Sequence, residues 1–206
     1  MPPTASSPHT SGTARVRLSP ERRREQLLAL GVQLFSQGSI EEISIDRLAE
    51  VAGVSRGLLY HYFGSKQGFY EAVVQCAADD LVAQTAPSED PDPMVRLRHS
   101  MAAYVDYVVD NLAGYRSLVR AAAGGNETLR RIYDEARAAL TDRIFRPEGA
   151  GELIPDTPAT RLLVRGWAAF AEETVLAWCA EPDGLTRDDV VRILSDALPA
   201  LVAALG

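Results

Sequence analysis

The sequence has 206 residues, of which 47% are hydrophobic, 24% are charged and two are cysteine. A chain of this size and composition can bury a sizeable core, and it holds no apolar run of about 18 residues that would span a membrane. The two cysteines, Cys76 and Cys179, are too few for a disulfide framework or a cysteine metal cluster, and they fit a reducing cytoplasm.

The net charge of −7 is distributed unevenly along the chain. Residues 1–66 carry 8 basic and 6 acidic side chains, whereas residues 67–206 carry 13 basic and 22 acidic ones. This asymmetry favours a DNA-facing head joined to an acidic body. Residues 1–18 are rich in Pro, Ser and Thr and lack the apolar stretch of a signal peptide, so we expect a disordered basic arm beside the head. The arginines at 22–24 continue this basic run and either contact DNA or face solvent.

Residues 19–64 are predicted to form three helices. The first begins at Pro20, because proline suits the first position of a helix. Ser44 is the expected N-cap of the second helix and Gly53 its stop, while Ser55 caps a third helix that begins directly afterwards. Two short helices joined by so tight a turn are typical of a helix-turn-helix, in which the second helix enters the major groove of DNA.

The third helix has polar side chains on the side that its core contacts do not need. Arg56, Tyr60 and His61 can donate to phosphates or base edges, and Gly57 lets the backbone come close to DNA. Lys66 follows at the start of the next helix and is the only lysine in the sequence. Its ammonium suits a phosphate oxygen; the alternative is that it is simply a surface lysine.

The TetR family of bacterial transcriptional regulators has a DNA-binding domain that this chain resembles over about residues 20–75. The resemblance rests on the stretch IDRLAEVAGVSRGLLYHYFGSKQGFYEAVV, which fits the family pattern A-G-V-S-x-G-x-x-Y-x-[HY]-F-x-x-K. It implies a regulator that binds a near-palindromic operator in double-stranded DNA as a homodimer and needs no cofactor. The family's contact positions are Ser44, Arg56, Gly57, Tyr60, His61 and Lys66. To these we add Ser55, and Tyr62 where many members have histidine.

The body, residues 65–206, keeps helical periodicity to its end and has no alternating strand pattern. We predict six helices there, at about residues 65–85, 93–111, 115–123, 126–145, 159–180 and 187–204. The resulting fold is all-α, with a three-helix head and a six-helix body for effector binding and dimerisation, which is the plan of the TetR family.

The resemblance further implies a small, often hydrophobic effector that binds the body and releases the DNA. The alternative for each candidate contact is that it is ordinary core or surface. The candidates are large side chains and one arginine on helices that converge in this plan: Met101, Tyr104, Tyr107, Arg120, Tyr133, Trp167 and Phe170. Glu172 and Glu173 could add polar anchors, or could face the dimer seam or water.

The last two helices carry more apolar surface than a monomer needs, so we predict that they pair with their symmetry mates as a four-helix bundle. The alternative is that this surface is simply core. The predicted interface residues are Thr174, Trp178, Val190, Leu194, Leu198 and Leu201.

An enzyme is not expected, because the sequence has none of the common catalytic or metal-binding motifs and no evident pair of catalytic carboxylates. We therefore predict a cytoplasmic, dimeric transcriptional regulator, a repressor that its ligand releases from DNA. The alternatives are an activator with the same head and a DNA-binding regulator that needs no ligand. Ligand-dependent release of DNA would distinguish a sensor from a constitutive binder.

Overall fold

A computed structural model of the protein describes residues 19–37, 44–151 and 153–205. Over these ranges the chain forms nine α-helices and a short 3-10 turn at Arg143–Phe145. The helices are, in chain order, α1 Pro20–Gln37, α2 Ile45–Ala52, α3 Arg56–Phe63, α4 Lys66–Gln84, α5 Pro93–Asp110, α6 Leu112–Ala123, α7 Glu127–Asp142, α8 Pro158–Ala180 and α9 Arg187–Ala203. The described helices include none that is both long and apolar enough to cross a membrane. The arm predicted at residues 1–18 lies outside the described ranges.

Local capping fixes the turn between α2 and α3. Ser44 Oγ accepts from the backbone N–H of Arg47 at 3.0 Å, and Ser55 Oγ accepts from that of Leu58 at 3.2 Å. Gly53 ends α2 with a left-handed backbone, φ 61° and ψ 34°, which glycine adopts without the steric cost that a side chain brings. The predicted helix-turn-helix and its boundaries are confirmed.

The start of α6 differs from the prediction. Gly114 was expected to precede a helix at 115–123, but α6 begins at Leu112 and includes Gly114 in its first turn. The glycine serves packing here, because a Cβ atom at this position would lie 2.7 Å from the ring of Phe35 and 2.9 Å from its carbonyl oxygen. Absence of a side chain therefore lets α6 approach α1 closely.

One hydrophobic core joins the head to the body. Leu27, Leu48 and Leu59 from the first three helices are almost fully buried, and they share a cluster with Leu118 of α6 and Ile132 of α7. The head helices thus pack on the body through apolar contacts as well as through the chain connection, so a shift of α6 or α7 has a direct route to the head.

The interface prediction needs correction for three residues of α9. Val190, Leu194 and Leu198 are completely buried within the chain's own core, so in this fold they offer no surface to a second subunit. Thr174 and Trp178 are half-buried, and Trp178 Nε1 donates to the carbonyl oxygen of Leu185 at 3.0 Å. Of the six predicted interface residues, Leu201 is the most exposed, at 39%.

The outward surface of α8 consists of a different set of residues. Leu162 is 67% exposed and Phe170 is 42% exposed, and open space surrounds Gly166 between them. These three positions are spaced four residues apart and therefore lie on one face of the helix. The exposed Glu173 and Ala177 extend the same face.

Candidate nucleic-acid interface and ligand cavity

The exposed face of α3 carries four of the predicted DNA contacts. Arg56, Gly57, Tyr60 and His61 are all exposed, whereas Leu59 is buried in the core beneath them. Their spacing of one and four residues places them on a single side of the helix. This side offers a guanidinium, a phenol and an imidazole to a duplex, which together can contact phosphates and base edges.

Lys66 and the capping serines extend this polar face across the neighbouring helix ends. Lys66 is exposed at the first residue of α4, next to Ser65, whose Oγ accepts from the backbone N–H of Gly68 at 2.9 Å. The helix N-terminus adds a partial positive charge to the ammonium. Ser44 and Ser55 only accept in their capping bonds, so their own hydroxyl hydrogens can still donate to a phosphate.

Tyr62 lies on the other side of α3. It is partly buried, packs against the head core, and meets the ring of His61 edge-on with the ring centroids 5.5 Å apart. The structure therefore gives Tyr62 a packing role and separates it from the four exposed residues. Its support of His61 is one route by which it can still influence the DNA-binding face.

An acidic residue on α2, which the sequence analysis did not identify, also belongs to this surface. Asp46 forms an ion pair with Nε of Arg56 while both side chains remain more than half exposed. The pair holds the guanidinium at the start of α3, and a DNA phosphate must compete with the carboxylate for it. Helical periodicity contains no signal for this contact, because it depends on how steeply α2 and α3 cross.

The body contains a cavity of about 120 Å³. Apolar side chains from α4 to α8 line it. Five of the predicted ligand contacts are also part of its wall: Met101, Tyr104, Tyr107, Tyr133 and Trp167. The other two predicted contacts lie elsewhere, since Arg120 is exposed at the end of α6 and Phe170 is exposed on α8. The structure thus brings the aromatic set together around one space.

A polar cluster forms part of the cavity wall. Glu172 accepts hydrogen bonds from the hydroxyl of Tyr133 at 2.9 Å and from that of Tyr115 at 3.0 Å, whereas the neighbouring Glu173 is exposed. Burial and the charge of Glu172 raise the pKa of Tyr133 to about 12, and burial raises the pKa of Tyr115 well above its ordinary value. Both phenols are therefore protonated at neutral pH and act as donors to the carboxylate.

The cavity also reaches the DNA-binding head. Phe35, near the end of α1, is 4% exposed and contributes its side chain to the cavity wall. Helical spacing in the sequence assigns this residue to the buried side of α1. It does not show that the residue also lines a cavity. Phe35 therefore lies both on the cavity wall and on α1, the helix that packs on α2 and α4.

Two cavity-lining side chains hold the backbone of the connector helix α4. The Tyr107 hydroxyl donates to the carbonyl oxygen of Ala77 at 2.6 Å, and Arg143 Nη2 donates to that of Val82 at 2.8 Å. These bonds join α5 and the 3-10 turn to α4. A molecule that displaces either side chain would therefore alter how α4 is held.

The described ranges contain no grouping of His, Cys, Asp or Glu side chains that could hold a metal ion. The two cysteines are free and half-buried, and burial raises the pKa of both thiols. The DNA-binding face and the cavity are therefore the two features on which a function can be built.

Comparison with known proteins gives the same division into head and body. Residues 27–73 match the family "Bacterial regulatory proteins, tetR family", and residues 93–201 match "Tetracyclin repressor-like, C-terminal domain". A TetR-family transcriptional regulator from Streptomyces coelicolor is similar in structure, with a TM-score of 0.80 and 34% identity over 91% of this chain and 83% of that one. A TetR-like transcriptional regulator from Rhodococcus sp. RHA1 has a TM-score of 0.65 and 25% identity, over 91% and 99% of the two chains.

The chain is also similar to a transcriptional activator. The HTH-type transcriptional activator FasR from Mycolicibacterium smegmatis is 27% identical over 181 residues, which is 85% of this chain and 80% of that protein. The similarity extends beyond the head and includes most of the body.

Proposed function

Because the chain belongs to the TetR family of DNA-binding transcriptional regulators, we propose that it is an operator-binding homodimer which a small, largely apolar ligand releases from DNA. Its target is genomic DNA, so we place its site of action in the bacterial cytoplasm. The proposed DNA contacts are the exposed residues of α3 with Ser44, Ser55 and Lys66.

The observation that carries the proposal is the position of Phe35. Its side chain lines the cavity and at the same time belongs to α1, which packs on α2 and α4. Phe35 therefore links the ligand cavity to the placement of α3, the reading helix of the helix-turn-helix. A cavity remote from the head would need a longer chain of movements to couple the two sites.

The size of the cavity indicates that its walls must move. About 120 Å³ of space is smaller than the roughly 300–1,000 Å³ that pockets for drug-sized ligands provide. A ligand of that size must displace side chains, and the cavity wall includes Phe35 of α1 as well as Tyr107 and Arg143, which hold α4. Displacement of these walls would shift the head in each subunit and change the separation of the two reading helices.

The energetic requirement is modest. A ligand that binds the displaced conformation better than the DNA-binding conformation lowers operator affinity by the same factor, and couplings of about 1–3 kcal/mol are typical of allosteric proteins. A dimer bound to one face of a duplex places its two reading helices about 34 Å apart, so a small rotation of each head is enough to break the match.

Selection of bound sequences from a random duplex pool tests DNA recognition. We expect a near-palindrome with half-sites about one helical turn apart and an affinity that falls steeply with salt. Lys66→Gln should weaken binding to the selected duplex and reduce the salt slope by about 1. The matched control is Arg131→Gln on α7, an exposed cation in an ion pair with Glu135, which should change neither quantity.

Absence of an enriched palindrome, or equal effects of the two substitutions, would contradict specific reading by this face. Displacement of the selected duplex by small apolar molecules then separates a sensor from a constitutive binder. If the protein stays bound to its operator in the presence of every ligand that binds the cavity, the proposal of ligand release is contradicted.

Activation is the second candidate function, because the relative from Mycolicibacterium smegmatis is a transcriptional activator. The two functions differ in where the operator lies relative to the promoter. Transcription in vitro from a template with the selected duplex at its natural position should decrease with added protein if it represses and increase if it activates.

A further inference from the structure

The polar cluster in the cavity is organised around the carboxylate of Glu172. Its side chain is 17% exposed, and both oxygens accept from the Tyr133 hydroxyl at 2.9 Å. Tyr115 donates to the same carboxylate, and its hydroxyl also lies 2.9 Å from that of Tyr104. Arg137 Nη1 donates to the Tyr133 oxygen at 2.6 Å. The cluster is thus a chain of hydrogen bonds that ends at one acid.

The direction of these bonds decides what the cluster offers to a ligand. The carboxylate can only accept, so Tyr115 and Tyr133 direct their hydroxyl hydrogens towards Glu172. Tyr115 then accepts from Tyr104, whose own hydroxyl hydrogen is used in that bond. All three phenol hydrogens are thus used within the cluster. What remains available to a ligand is the lone pairs of Tyr104 Oη and of the Glu172 carboxylate, which can only accept hydrogen bonds. These lone pairs favour a ligand that donates hydrogen bonds.

The charge of Glu172 is incompletely matched by its neighbours. Its cationic partner, Nη1 of Arg137, is 3.9 Å away, beyond hydrogen-bonding distance, because that nitrogen donates to Tyr133 instead. A largely buried carboxylate is stabilised most when a cation donates to it directly. A protonated amine entering the cavity would form this bond. A ligand carboxylate would meet the charge of Glu172 and would have to take Arg137 from Tyr133 and from the carbonyl oxygen of Arg165.

The remaining wall sets the shape of the rest of the ligand. Leu81, Met101, Leu140 and Trp167 contribute apolar surface to a space of about 120 Å³. We infer that the ligand is an amphipathic molecule with a hydrogen-bond-donating head, a protonated amine above all, that binds Glu172, and a slim apolar body. The inference rests on the proposed function, because it names the ligand class of the same cavity.

A matched series of probes with one apolar chain and three heads tests this ligand class. Decylamine, decanol and decanoate are titrated into the full-length protein by calorimetry, each below the concentration at which it forms micelles. The amine should bind tightest, the alcohol should be weaker and the carboxylate weakest. Tightest binding by decanoate, or no binding by any of the three, would overturn the assignment.

The variant Glu172→Gln removes the charge with little change of shape. Amine affinity should fall by at least about tenfold, as expected for loss of a charge-assisted hydrogen bond, while decanoate affinity should not fall. The control is Glu135→Gln, the same substitution at an exposed glutamate of α7 that pairs with Arg131 and does not line the cavity, which should leave all three affinities unchanged. Equal effects of the two substitutions would overturn the role of Glu172. The order of the three probes on the unaltered protein decides the matter even if Glu172→Gln fails to fold.

Release of the selected operator is measured separately with the same three probes. Binding of the amine through Glu172 without any loss of DNA affinity would contradict the proposed function and leave the ligand class standing. Release of the operator by decanoate alone would support the proposed function and overturn the ligand class. Failure of one proposal is therefore distinguishable from failure of the other.

Discussion

Gly57 is the second residue of α3 and lies on its exposed face. A Cβ atom added there would meet no atom closer than Ser55 Oγ at 3.8 Å, so the fold has room for a side chain. A glycine within a helix destabilises it relative to alanine by roughly 0.5–1 kcal/mol. The fold therefore gives no reason for glycine at this position, whereas close approach of a sugar-phosphate backbone does.

Gly57→Ala should consequently separate stability from DNA binding. We expect thermal or urea unfolding to report unchanged or slightly higher stability, by up to about 0.5 kcal/mol near a helix end. Affinity for the selected duplex should fall, because the new methyl group lies where the duplex approaches. The two quantities are measured on the same preparation, and unchanged affinity would mean that the backbone of α3 does not come close to DNA.

The composition of the DNA-binding face was largely predictable, and its internal contacts were not. Arg56, Tyr60 and His61 follow from local periodicity, since helical spacing alone assigns them to the side away from the core. The ion pair of Asp46 with Arg56 joins two helices, so it depends on a crossing angle that no local pattern specifies. For the same reason the inward position of Tyr62 required the packed head core.

The contact between α1 and α6 makes a prediction at the scale of helices. Gly114→Ala places a methyl group about 2.7 Å from the ring of Phe35, closer than carbon atoms pack, so α1 or the ring must move. Because Phe35 also lines the cavity, we expect this variant to lose operator affinity without any change on the DNA-binding face. The measurement is duplex affinity together with the melting temperature.

Rescue by a second substitution distinguishes coupling from general destabilisation. Phe35→Leu removes the clash with the ring but not the approach of 2.9 Å to the carbonyl oxygen of residue 35, so the double variant should regain part of the affinity that Gly114→Ala loses. A positive coupling energy in this cycle would locate the effect in the contact itself. Additive losses would indicate that α1 and α6 do not communicate through Phe35.

The helices themselves illustrate which structural features a sequence reveals. Ser44, Gly53 and Ser55 act through hydrogen bonds to residues three or four positions away, and the helix boundaries that they set were predicted correctly. Gly114 has the same local signature as a helix stop, yet its cause is the ring of Phe35, from a distant part of the chain. The cavity raises the same difficulty, because its walls come from at least five helices.

At the scale of the whole molecule, the orientation of the apolar surfaces of α8 and α9 was the hardest feature to predict. The helix α8 is apolar on two sides, so periodicity could not decide which side faces the core. Trp167 and Val175 are buried, whereas Phe170 faces outwards, and α9 directs Val190 and Leu194 into the core. Three-dimensional packing is therefore needed to separate the inner apolar surface from the surface available to a partner.

Phe170→Glu tests whether the outward face of α8 forms the dimer. A two-fold interface contains each residue twice, and an aromatic residue at the centre of an interface can be one of the few that contribute about 2 kcal/mol or more to association. We therefore expect this variant to be monomeric in analytical ultracentrifugation at concentrations where the unaltered protein is dimeric, with intact helical content. Operator affinity should fall with it, because a single reading helix then binds one half-site alone.

The matched control is Val109→Glu on α5, where an apolar residue of similar exposure, 44%, is replaced by the same charge. If both variants stay dimeric, the subunits associate through another surface; if both dissociate, the effect is one of added charge rather than of the face of α8.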